Sequence, residues 1–413
     1  MLCIGPRRFQ SPLLSRMDID RLISERARAI DASGIRRVFD LGAKLKDPIN
    51  LSIGQPDFPV PEPIKRAASR AIMEDANGYT VTQGIAPLRT RLAAHLRQDV
   101  GWDCDIRPAA EADPARPSIV VTSGTSGGLL LAFQALLNPG DEVVIPDPYF
   151  VMYPHLCTMV GAKAVRCDTY PDCRLTAARV EPLITPRTKI VLLNSPSNPA
   201  GVVSTAQECR DLLELCRRRG VLLISDEIYD EFTYADAREE TPTGPRCPSP
   251  ARFPGAEQDV LLVRGFGKTY GITGWRLGYA AGPRRIIEEM SKLQQYTFVC
   301  APSALQHGAL AALDVDMRPY VETYRQRRDL VARRLSSVTE LATPGGAFYA
   351  FPKVPEHLGL TAQQFVEKCI TRGLLVIPGG VFSSRDTHLR LSYATSEANL
   401  VRGLDVLVDL MKR

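Results

Sequence analysis

The chain has 413 residues, 45% of them hydrophobic and 23% charged, with a formal net charge of +5, values typical of a globular protein with a large core and more than one domain. No long run of one charge sign favours binding to nucleic acid or a membrane surface, and no apolar run is long enough to span a membrane. The ten cysteines include no Cys-x-x-Cys motif, so we expect reduced thiols, a cytoplasmic location and no metal site.

Residues 1–16 form an N-terminal extension that carries Arg7, Arg8 and Arg16 and no acid. That composition is typical of a transit peptide, and a start assigned upstream of Met17 explains it equally well. We favour the second explanation, because no amphipathic period is clear. We expect this segment to carry no chemistry.

Regular elements are predicted from Asp18 onward. Helices are predicted over 18–30 and 61–76, with a short strand at 49–54 between them. Short apolar strands then alternate with helices; the strands are predicted at 119–122, 142–145, 162–166, 189–193, 221–225, 260–263 and 277–281. This pattern indicates an α/β fold with a mostly parallel seven-stranded sheet covered by helices.

The pattern changes at about Arg318. A long charged helix is predicted over 320–335, followed by hairpin-like strands around Phe348 and Leu389, which indicates a smaller α+β domain. We therefore expect a large domain at 55–310 and a small domain formed by two segments, 17–54 and 311–413. Two stretches rich in Pro, Ala and charge, 108–117 and 236–254, are predicted to be surface insertions.

Polar segments follow several of the predicted strands, where open α/β sheets bind their ligands. They are a Gly-rich turn at 123–128, Ser-Pro-x-Asn-Pro-x-Gly at 195–201, Asp-x-x-Tyr at 226–229, and Lys268 followed by Gly-x-Arg-x-Gly at 274–278. Each alone has an ordinary explanation. The turn could simply be tight, the acid could cap a helix, and a lysine in a Gly-rich loop is normally solvated.

In this order and at these spacings, the segments together resemble the class I and II aminotransferases of pyridoxal phosphate (PLP) fold type I. The resemblance covers nearly the whole chain from about Met17. It implies PLP as the cofactor and a Schiff base between PLP and Lys268, which would also be the general base. It further implies that Asp226 pairs with the pyridine nitrogen and that Asn198 and Tyr229 bond the phenolic oxygen of the ring.

The resemblance also assigns the remaining positions. Tyr149 would stack on the ring, and the phosphate would be held by Arg276 and the turn formed by Gly124, Thr125 and Ser126. Tyr79 would reach the phosphate in the other subunit, which implies a homodimer with shared sites. The α-carboxylate of the substrate would be bound by Gly54, Asn198 and Arg390.

The chain departs from the family pattern beside the lysine. The family usually has Ser three residues before the lysine and directly before it, whereas this chain has Gly265 and Gly267. Ala200 replaces the usual Thr or Ser. We expect the loss of one phosphate hydrogen bond, a contribution of roughly 1.5–3 kcal/mol.

The implied reaction transfers the amino group of an L-amino acid to a 2-oxo acid, expected to be 2-oxoglutarate, with ping-pong kinetics. Aliphatic or aromatic donors fit, and Phe58, Tyr153, Phe348 and Phe382 could line their pocket. An aspartate-specific enzyme of this family would need a second cation for the distal carboxylate of its substrate. One such cation is a Lys in the phosphate-binding turn, where this chain has Ser126, and another is an Arg of the partner chain near 294–302, a segment that contains no Arg here.

Two further alternatives remain. A PLP-dependent C–S β-lyase would use the same residues. A ligand-sensing module that kept the fold without turnover is disfavoured by the compact length and by the lack of a basic helix-turn-helix.

Overall fold

The computed structural model of the protein describes residues 17–31, Gly34 and residues 45–413, so the extension predicted at 1–16 lies outside the described residues. The described strands are β1 (Ile49–Asn50), β2 (Ser118–Thr122), β3 (Glu142–Asp147), β4 (Lys163–Asp168), β5 (Thr188–Asn194), β6 (Leu222–Asp226), β7 (Val260–Gly265), β8 (Gly278–Gly282), β9 (Tyr349–Ala350), β10 (Leu374–Leu375), β11 (Ile377–Pro378) and β12 (Leu389–Ser392).

The described α-helices are α1 (Glu25–Arg28), α2 (Glu62–Met73), α3 (Ala86–Val100), α4 (Gly124–Leu136), α5 (Met152–Val160), α6 (Ala177–Val180), α7 (Ala206–Arg219), α8 (Phe266–Thr269), α9 (Arg284–Gln295), α10 (Ser303–Ala312), α11 (Arg318–Leu335), α12 (Ala362–Thr371) and α13 (Glu397–Lys412). Short 3₁₀ turns, such as Ile19–Leu22 and Thr273–Trp275, lie between them. Within the described residues, no helix combines the length and the apolar character needed to cross a membrane.

Seven strands form the central sheet, in the order β2-β8-β7-β6-β5-β3-β4. Only β8 runs antiparallel to its neighbours, β2 and β7. The central strands are buried along their length, because apolar clusters pack on both faces of the sheet. The predicted mostly parallel, seven-stranded α/β sheet is thereby confirmed, and its carboxyl ends lie at one edge.

Helix α7 shows how local sequence places a strand end. Its first turn carries a capping box in which the Thr205 hydroxyl accepts from the Glu208 N–H, while the Glu208 carboxylate accepts from the Thr205 N–H. The helix ends at Gly220, whose φ of 65° is readily adopted by glycine. Strand β6 begins two residues later and delivers Asp226 to the edge of the sheet.

The C-terminal part builds two small sheets. Strand β1 pairs in parallel with β10, and β12 lies between β11 and β9 in an antiparallel sheet. A second apolar cluster joins Ile49 and Leu51 to this part. Because the first strand pairs with the C-terminal part, we propose that segments 17–54 and 311–413 form the small domain and that 55–310 forms the large one.

Some local predictions differ from the structure. The helix predicted over 18–30 is a 3₁₀ turn followed by one short α-helix that Ser24 caps, and the strand predicted at 49–54 has two residues. Residues 108–116 are largely exposed, as predicted for an insertion. In 236–254, however, Cys247, Ser249 and Ala251 are buried, so the prediction of a surface segment is wrong for that part.

Candidate active site

A cavity of about 340 Å³ opens where the carboxyl ends of the central strands meet the C-terminal part. Ten of the twelve residues that the sequence singled out line it: Gly54, Gly124, Thr125, Ser126, Asn198, Asp226, Tyr229, Lys268, Arg276 and Arg390. The two that do not are Tyr79 and Tyr149. Residues that lie more than 300 positions apart in the sequence therefore share one site.

Lys268 projects from the short helix α8 into this cavity. Its Nζ donates a hydrogen bond of 2.5 Å to the Gly54 carbonyl oxygen and lies 5.9 Å from the centroid of the Phe348 ring. Burial, together with the charges of Arg390 and Arg276, lowers the pKa of Lys268 to about 8. The amine is therefore closer to its neutral, nucleophilic form than a surface lysine would be.

Asp226 ends strand β6 and is buried. Its Oδ2 accepts a hydrogen bond of 2.8 Å from the Tyr153 hydroxyl, and its Oδ1 accepts one of 3.3 Å from the Ile228 N–H. None of the basic side chains described forms a salt bridge with it. Burial consequently raises the pKa of Asp226 to about 6, although the two hydrogen bonds oppose the shift.

The sequence suggests Tyr153 only as a possible pocket wall, yet its hydroxyl contacts Asp226 directly. Its side chain is fully buried, and burial next to Asp226 raises its pKa well above the usual value. It therefore remains a protonated donor. Its sequence position gave no sign of this role, because its partner lies 73 residues away.

Arg390 lies in β12 and is 1% exposed. Its Nη1 donates to Asn198 Oδ1 at 3.1 Å and its Nη2 donates to the Ser52 carbonyl oxygen at 2.9 Å, while its Nε has no hydrogen-bond partner in the part of the chain that the structure describes. The guanidinium lies between the rings of Tyr349 and Phe382, 4.7 and 4.6 Å from their centroids. Among the described residues no acid pairs with it, so this buried cation can accept a carboxylate from outside the chain.

Three hydrogen bonds organise the wall between Arg390 and Asp226. The hydroxyls of Tyr229 and Tyr349 lie 3.0 Å apart. Asn194 Nδ2 donates to the Asp226 carbonyl oxygen, and Asn194 Oδ1 accepts from the Asn198 N–H. Asn194 and Tyr349 line the cavity but carried no role in the sequence-level assignment. Only the folded arrangement shows their contacts.

At the other end of the cavity, two backbone segments pack closely against each other. The N-terminal turn of α4 lies directly on β8, since a Cβ added at Gly278 would stand 2.7 Å from the Gly124 carbonyl carbon and the Thr125 nitrogen. Arg276 lies over Gly124, where an added Cβ would stand 2.6 Å from the Arg276 Nη2. Backbone N–H groups at a helix start and a guanidinium together suit a phosphate.

Gly265 also has a packing reason to lack a side chain. A Cβ there would lie 2.8 Å from Ile228 Cδ1 and 3.0 Å from Thr125 Cγ2. At Gly267 the nearest atom would be at an ordinary 3.4 Å. The volume that Ser would need at 265 is thus filled by methyl groups of Ile228 and Thr125.

A buried ion pair lies behind Asp226. Glu227 Oε2 accepts hydrogen bonds from Arg264 Nε and Nη2 at 3.1 and 2.8 Å, and its Oε1 accepts from the hydroxyls of Ser225 and Ser249. Asp99 binds the remaining Arg264 nitrogen at 2.6 Å. The segment predicted as a surface insertion is buried at Ser249 because it completes these bonds.

Tyr149 was expected to stack on the cofactor ring, but it is not among the residues that line the cavity. The Arg166 guanidinium lies 5.4 Å from the centroid of its ring, and its backbone N–H donates to the Phe382 carbonyl oxygen. Its neighbour Phe150 lines the cavity instead. The family motif identifies this loop, whereas the direction of each side chain depends on tertiary packing.

Tyr79 lies outside the cavity for a different reason. Its side chain is 87% exposed, next to a second exposed apolar residue, Val81. Within one chain it has no part in the site. Its predicted contact with the cofactor of another subunit stays a prediction.

The residues present fit PLP. Asp226 is a buried carboxylate without a basic partner among the residues described, and it could hold a protonated pyridine nitrogen. The start of α4 and Arg276 form an anion-binding site at one end of the cavity. Lys268 lies in the same cavity, and its lowered pKa favours the neutral amine. An acid, an amine and a phosphate cradle are the three groups that a pyridine aldehyde phosphate would require.

Comparison with known proteins agrees with this chemistry. The sequence model for aminotransferase class I and II matches residues 46–407. The chain belongs to the class I and II aminotransferases. It is 34% identical over 95% of its length to the probable aspartate aminotransferase of Methanocaldococcus jannaschii, of which the match covers 100%, and 32% identical over 94% to aromatic-amino-acid aminotransferase 2 of Thermococcus litoralis, of which it covers 98%.

A solved structure of the aspartate aminotransferase from Thermus thermophilus with maleate aligns with a TM-score of 0.84 at 33% identity, covering 94% of this chain and 99% of that one. The chain is thus an aminotransferase with PLP fold type I, in a family that uses PLP and acts on amino acids and oxo acids. The substrate named differs among the relatives.

Proposed function

We propose that this aminotransferase transfers the amino group of an L-amino acid without a second carboxylate to 2-oxoglutarate, with PLP bound through Lys268. The observation that carries the proposal is Arg390. It is a buried cation without an acidic partner among the described residues, and it lines the same cavity as Lys268.

Substrate binding follows from the contacts of Arg390. Asn198 and the Ser52 carbonyl oxygen fix the guanidinium, while the rings of Tyr349 and Phe382 hold its plane. A planar guanidinium held in this way binds a carboxylate through two parallel hydrogen bonds. The α-carboxylate of the substrate is therefore bound beside Gly54, with its α-carbon towards Lys268.

Proton transfer is assigned to Lys268. When bound, PLP withdraws electrons from the substrate α-carbon. Lys268 is a suitable base for the α-proton, because its lowered pKa leaves a substantial neutral fraction near pH 8. Asp226 would keep a proton on the pyridine nitrogen, and Tyr153 would orient the Asp226 carboxylate for this task. Phe150 takes the stacking role that the sequence assigned to Tyr149.

The charges of the cavity support a donor with an uncharged side chain. The basic side chains among its described lining residues are Lys268, Arg276 and Arg390. The proposed roles at the α-carbon, the phosphate and the α-carboxylate use all three. Leu129, Phe150 and Ile228 add apolar surface, which suits an aliphatic or aromatic side chain.

Aspartate is the second candidate donor. Relatives that share about a third of their residues with this chain are named aspartate aminotransferases. A partner subunit could supply the second cation, and Tyr79 supports a homodimer because its exposed side chain lies outside its own cavity.

The nine described cysteines are free, which supports a cytoplasmic location.

The test is an absorbance titration of the purified protein loaded with PLP. Each standard amino acid is added in turn, and the visible band of the bound cofactor should bleach with the true donors. Lys268→Ala should abolish both the band at its usual wavelength and the transfer of amino groups to 2-oxoglutarate. Full turnover in Lys268→Ala would overturn the proposal.

Product analysis separates transamination from β-elimination. With a cysteine conjugate and no oxo acid, the proposed enzyme should stop after one equivalent of bleaching. Continuous release of pyruvate and ammonia would instead indicate a C–S lyase on the same residues.

A further inference from the structure

A second cavity, of about 550 Å³, shares no lining residue with the candidate active site. It lies among α3, α9 and the loops around 81–83 and 106–109. Its charged lining consists of five basic and two acidic side chains: Arg89, Arg107, Arg284, Arg285, Lys292, Glu288 and Glu289. The cavity therefore carries an excess of positive charge.

Three of the five cations have a carboxylate within hydrogen-bond distance. Glu289 forms salt bridges with Arg285, at 2.8 Å, and with Lys292. Arg107 forms a bidentate pair with Asp105, which lies outside the lining. Two carboxylates partly offset the charges of these three cations, so they carry only part of the positive excess.

Arg89 and Arg284 are bound differently, because both donate to backbone carbonyl oxygens. Arg89 donates from Nε to Gly84 and from Nη1 to Ile106, at 3.1 and 2.8 Å. Arg284 donates from Nη2 to the Asp105 carbonyl oxygen at 2.6 Å and from Nε to that of Asp113 at 3.0 Å. Carbonyl oxygens fix the orientation of the guanidinium groups but leave their full charges.

The carboxylate partner of Arg284 is distant and shared with a second cation. Glu288 lies 4.0 Å from its Nη1, beyond hydrogen-bond distance, and the same acid lies 3.7 Å from Arg285. Among the described residues, no acid forms a salt bridge with Arg89. Arg284 is only 6% exposed, and a buried charge is costly unless an opposite charge compensates it.

The guanidinium groups of Arg89 and Arg284 thus face one cavity. The carbonyl oxygens of two consecutive residues hold them, that of Ile106 for Arg89 and that of Asp105 for Arg284. Their orientation is fixed before any ligand arrives, so little side-chain entropy would be lost on binding. Fixed guanidinium groups are well suited to oxyanions, which accept several charge-assisted hydrogen bonds.

We propose that this cavity is a second binding site, which takes the phosphate or carboxylate group of a small molecule between Arg89 and Arg284. The volume exceeds what a bare anion needs and is typical of sites for small organic molecules. The proposal does not depend on the reaction at the first cavity.

The test measures thermal unfolding of the full-length, PLP-loaded protein in inorganic phosphate, in acetate and in chloride of equal ionic strength. A ligand that binds only the folded state raises the unfolding temperature with its concentration. We expect a saturable rise with phosphate, acetate or both that persists in Arg390→Gln. Measured in that background, the rise should be lost in Arg89→Gln and in Arg284→Gln. Comparing the two anions distinguishes a phosphate site from a carboxylate site.

Arg285→Gln is the matched control, because its side chain is 80% exposed, lies on the same helix and already pairs with two acids. It should keep the rise of the wild type. If the buried Arg284→Gln fails to fold, the half-buried Arg89→Gln carries the test. The proposal is overturned if neither anion raises the unfolding temperature, or if the rise survives in Arg89→Gln.

Discussion

Lys268 shares its cavity with two guanidinium groups, and their charges act on its proton. Burial and the cations Arg390 and Arg276 lower its pKa to about 8. A lowered lysine pKa means that the neutral amine accumulates as the pH rises through that value. The chemistry of Lys268 should therefore begin about two pH units below that of an exposed lysine.

The first prediction concerns this titration. In cofactor-free protein, the rate of PLP incorporation should rise as the pH passes through about 8 and level off above it, since the neutral amine is the nucleophile. The measurement is the growth of visible absorbance after PLP is mixed with the protein at each pH. Arg390→Gln removes a positive charge and should move the midpoint to higher pH; a wild-type midpoint near 10.5 would refute the assignment.

The second prediction concerns Tyr153. Tyr153→Phe removes the hydroxyl that donates to Asp226. This hydrogen bond lowers the Asp226 pKa, so its loss favours the neutral carboxyl, which pairs more weakly with a pyridine nitrogen. PLP affinity should fall about tenfold if that pairing weakens by about 1.4 kcal/mol. The dissociation constant is measured by absorbance or fluorescence titration. Tyr170→Phe loses a hydroxyl that bonds Ser383 outside the cavity and should bind PLP as the wild type does.

A third prediction uses a substitution at Ser126 to test which class of amino acid is the donor. Ser126→Lys places a cation at the rim of the cavity and should raise kcat/KM for aspartate relative to phenylalanine, by about tenfold if a single new ion pair forms. Steady-state kinetics with both donors measure the ratio. An unchanged ratio would show that the distal carboxylate is bound elsewhere.

Most of the site could be predicted residue by residue, because short motifs place Lys268, Asp226 and Arg276 at strand ends. Tyr149, predicted to stack on the cofactor ring, does not line the cavity whereas its neighbour Phe150 does, since a motif locates a loop but not the direction of its side chains. Asn194 and Tyr349 could not be assigned, because their contacts depend on partners distant in sequence.

At the scale of elements, the start of α4 rests on β8 with backbone against backbone. Gly124 and Gly278 make this possible, and the phosphate end of the site depends on their approach. The backbone of Arg276, two residues before Gly278, has a positive φ of 54°, an uncommon conformation for a residue with a side chain. The local geometry is therefore set by several constraints at once.

The fourth prediction tests this contact. Gly278→Ala would bring a methyl group against two backbone atoms of the turn, with an expected destabilisation of about 1–3 kcal/mol and weaker PLP binding. Unfolding by urea and PLP titration measure the two effects. Gly274→Ala is the control, because an added Cβ there meets nothing within 4 Å; equal effects of both changes would contradict the close-approach explanation.

The elements themselves were predictable to different degrees. The buried strands stood out as short apolar runs, and all seven of the central sheet were located. The N-terminal helix and the first strand were overestimated, because local pattern does not show where Ser24 begins a helix or where β10 stops pairing with β1.

At the scale of the whole molecule, Tyr79 is highly exposed and does not line the cavity of its own chain. If it completes the site of a second copy, Tyr79→Phe should weaken PLP binding about tenfold by removing a bond to a charged phosphate. Tyr296→Phe alters another highly exposed tyrosine and should have no such effect. Equilibrium titration gives the affinities, and sedimentation gives the assembly state; a fully active monomer would contradict the shared site.

The segment 236–254 has a consequence for engineering. Shortening irregular loops is a common way to make proteins more rigid and more resistant to heat. Here the Ser249 hydroxyl donates to Glu227, and Arg252 joins the same segment to Asp99 at 2.7 Å. Excising this loop would admit water to the ion pair directly behind Asp226, so a shorter chain would be a poorer enzyme and a less stable one.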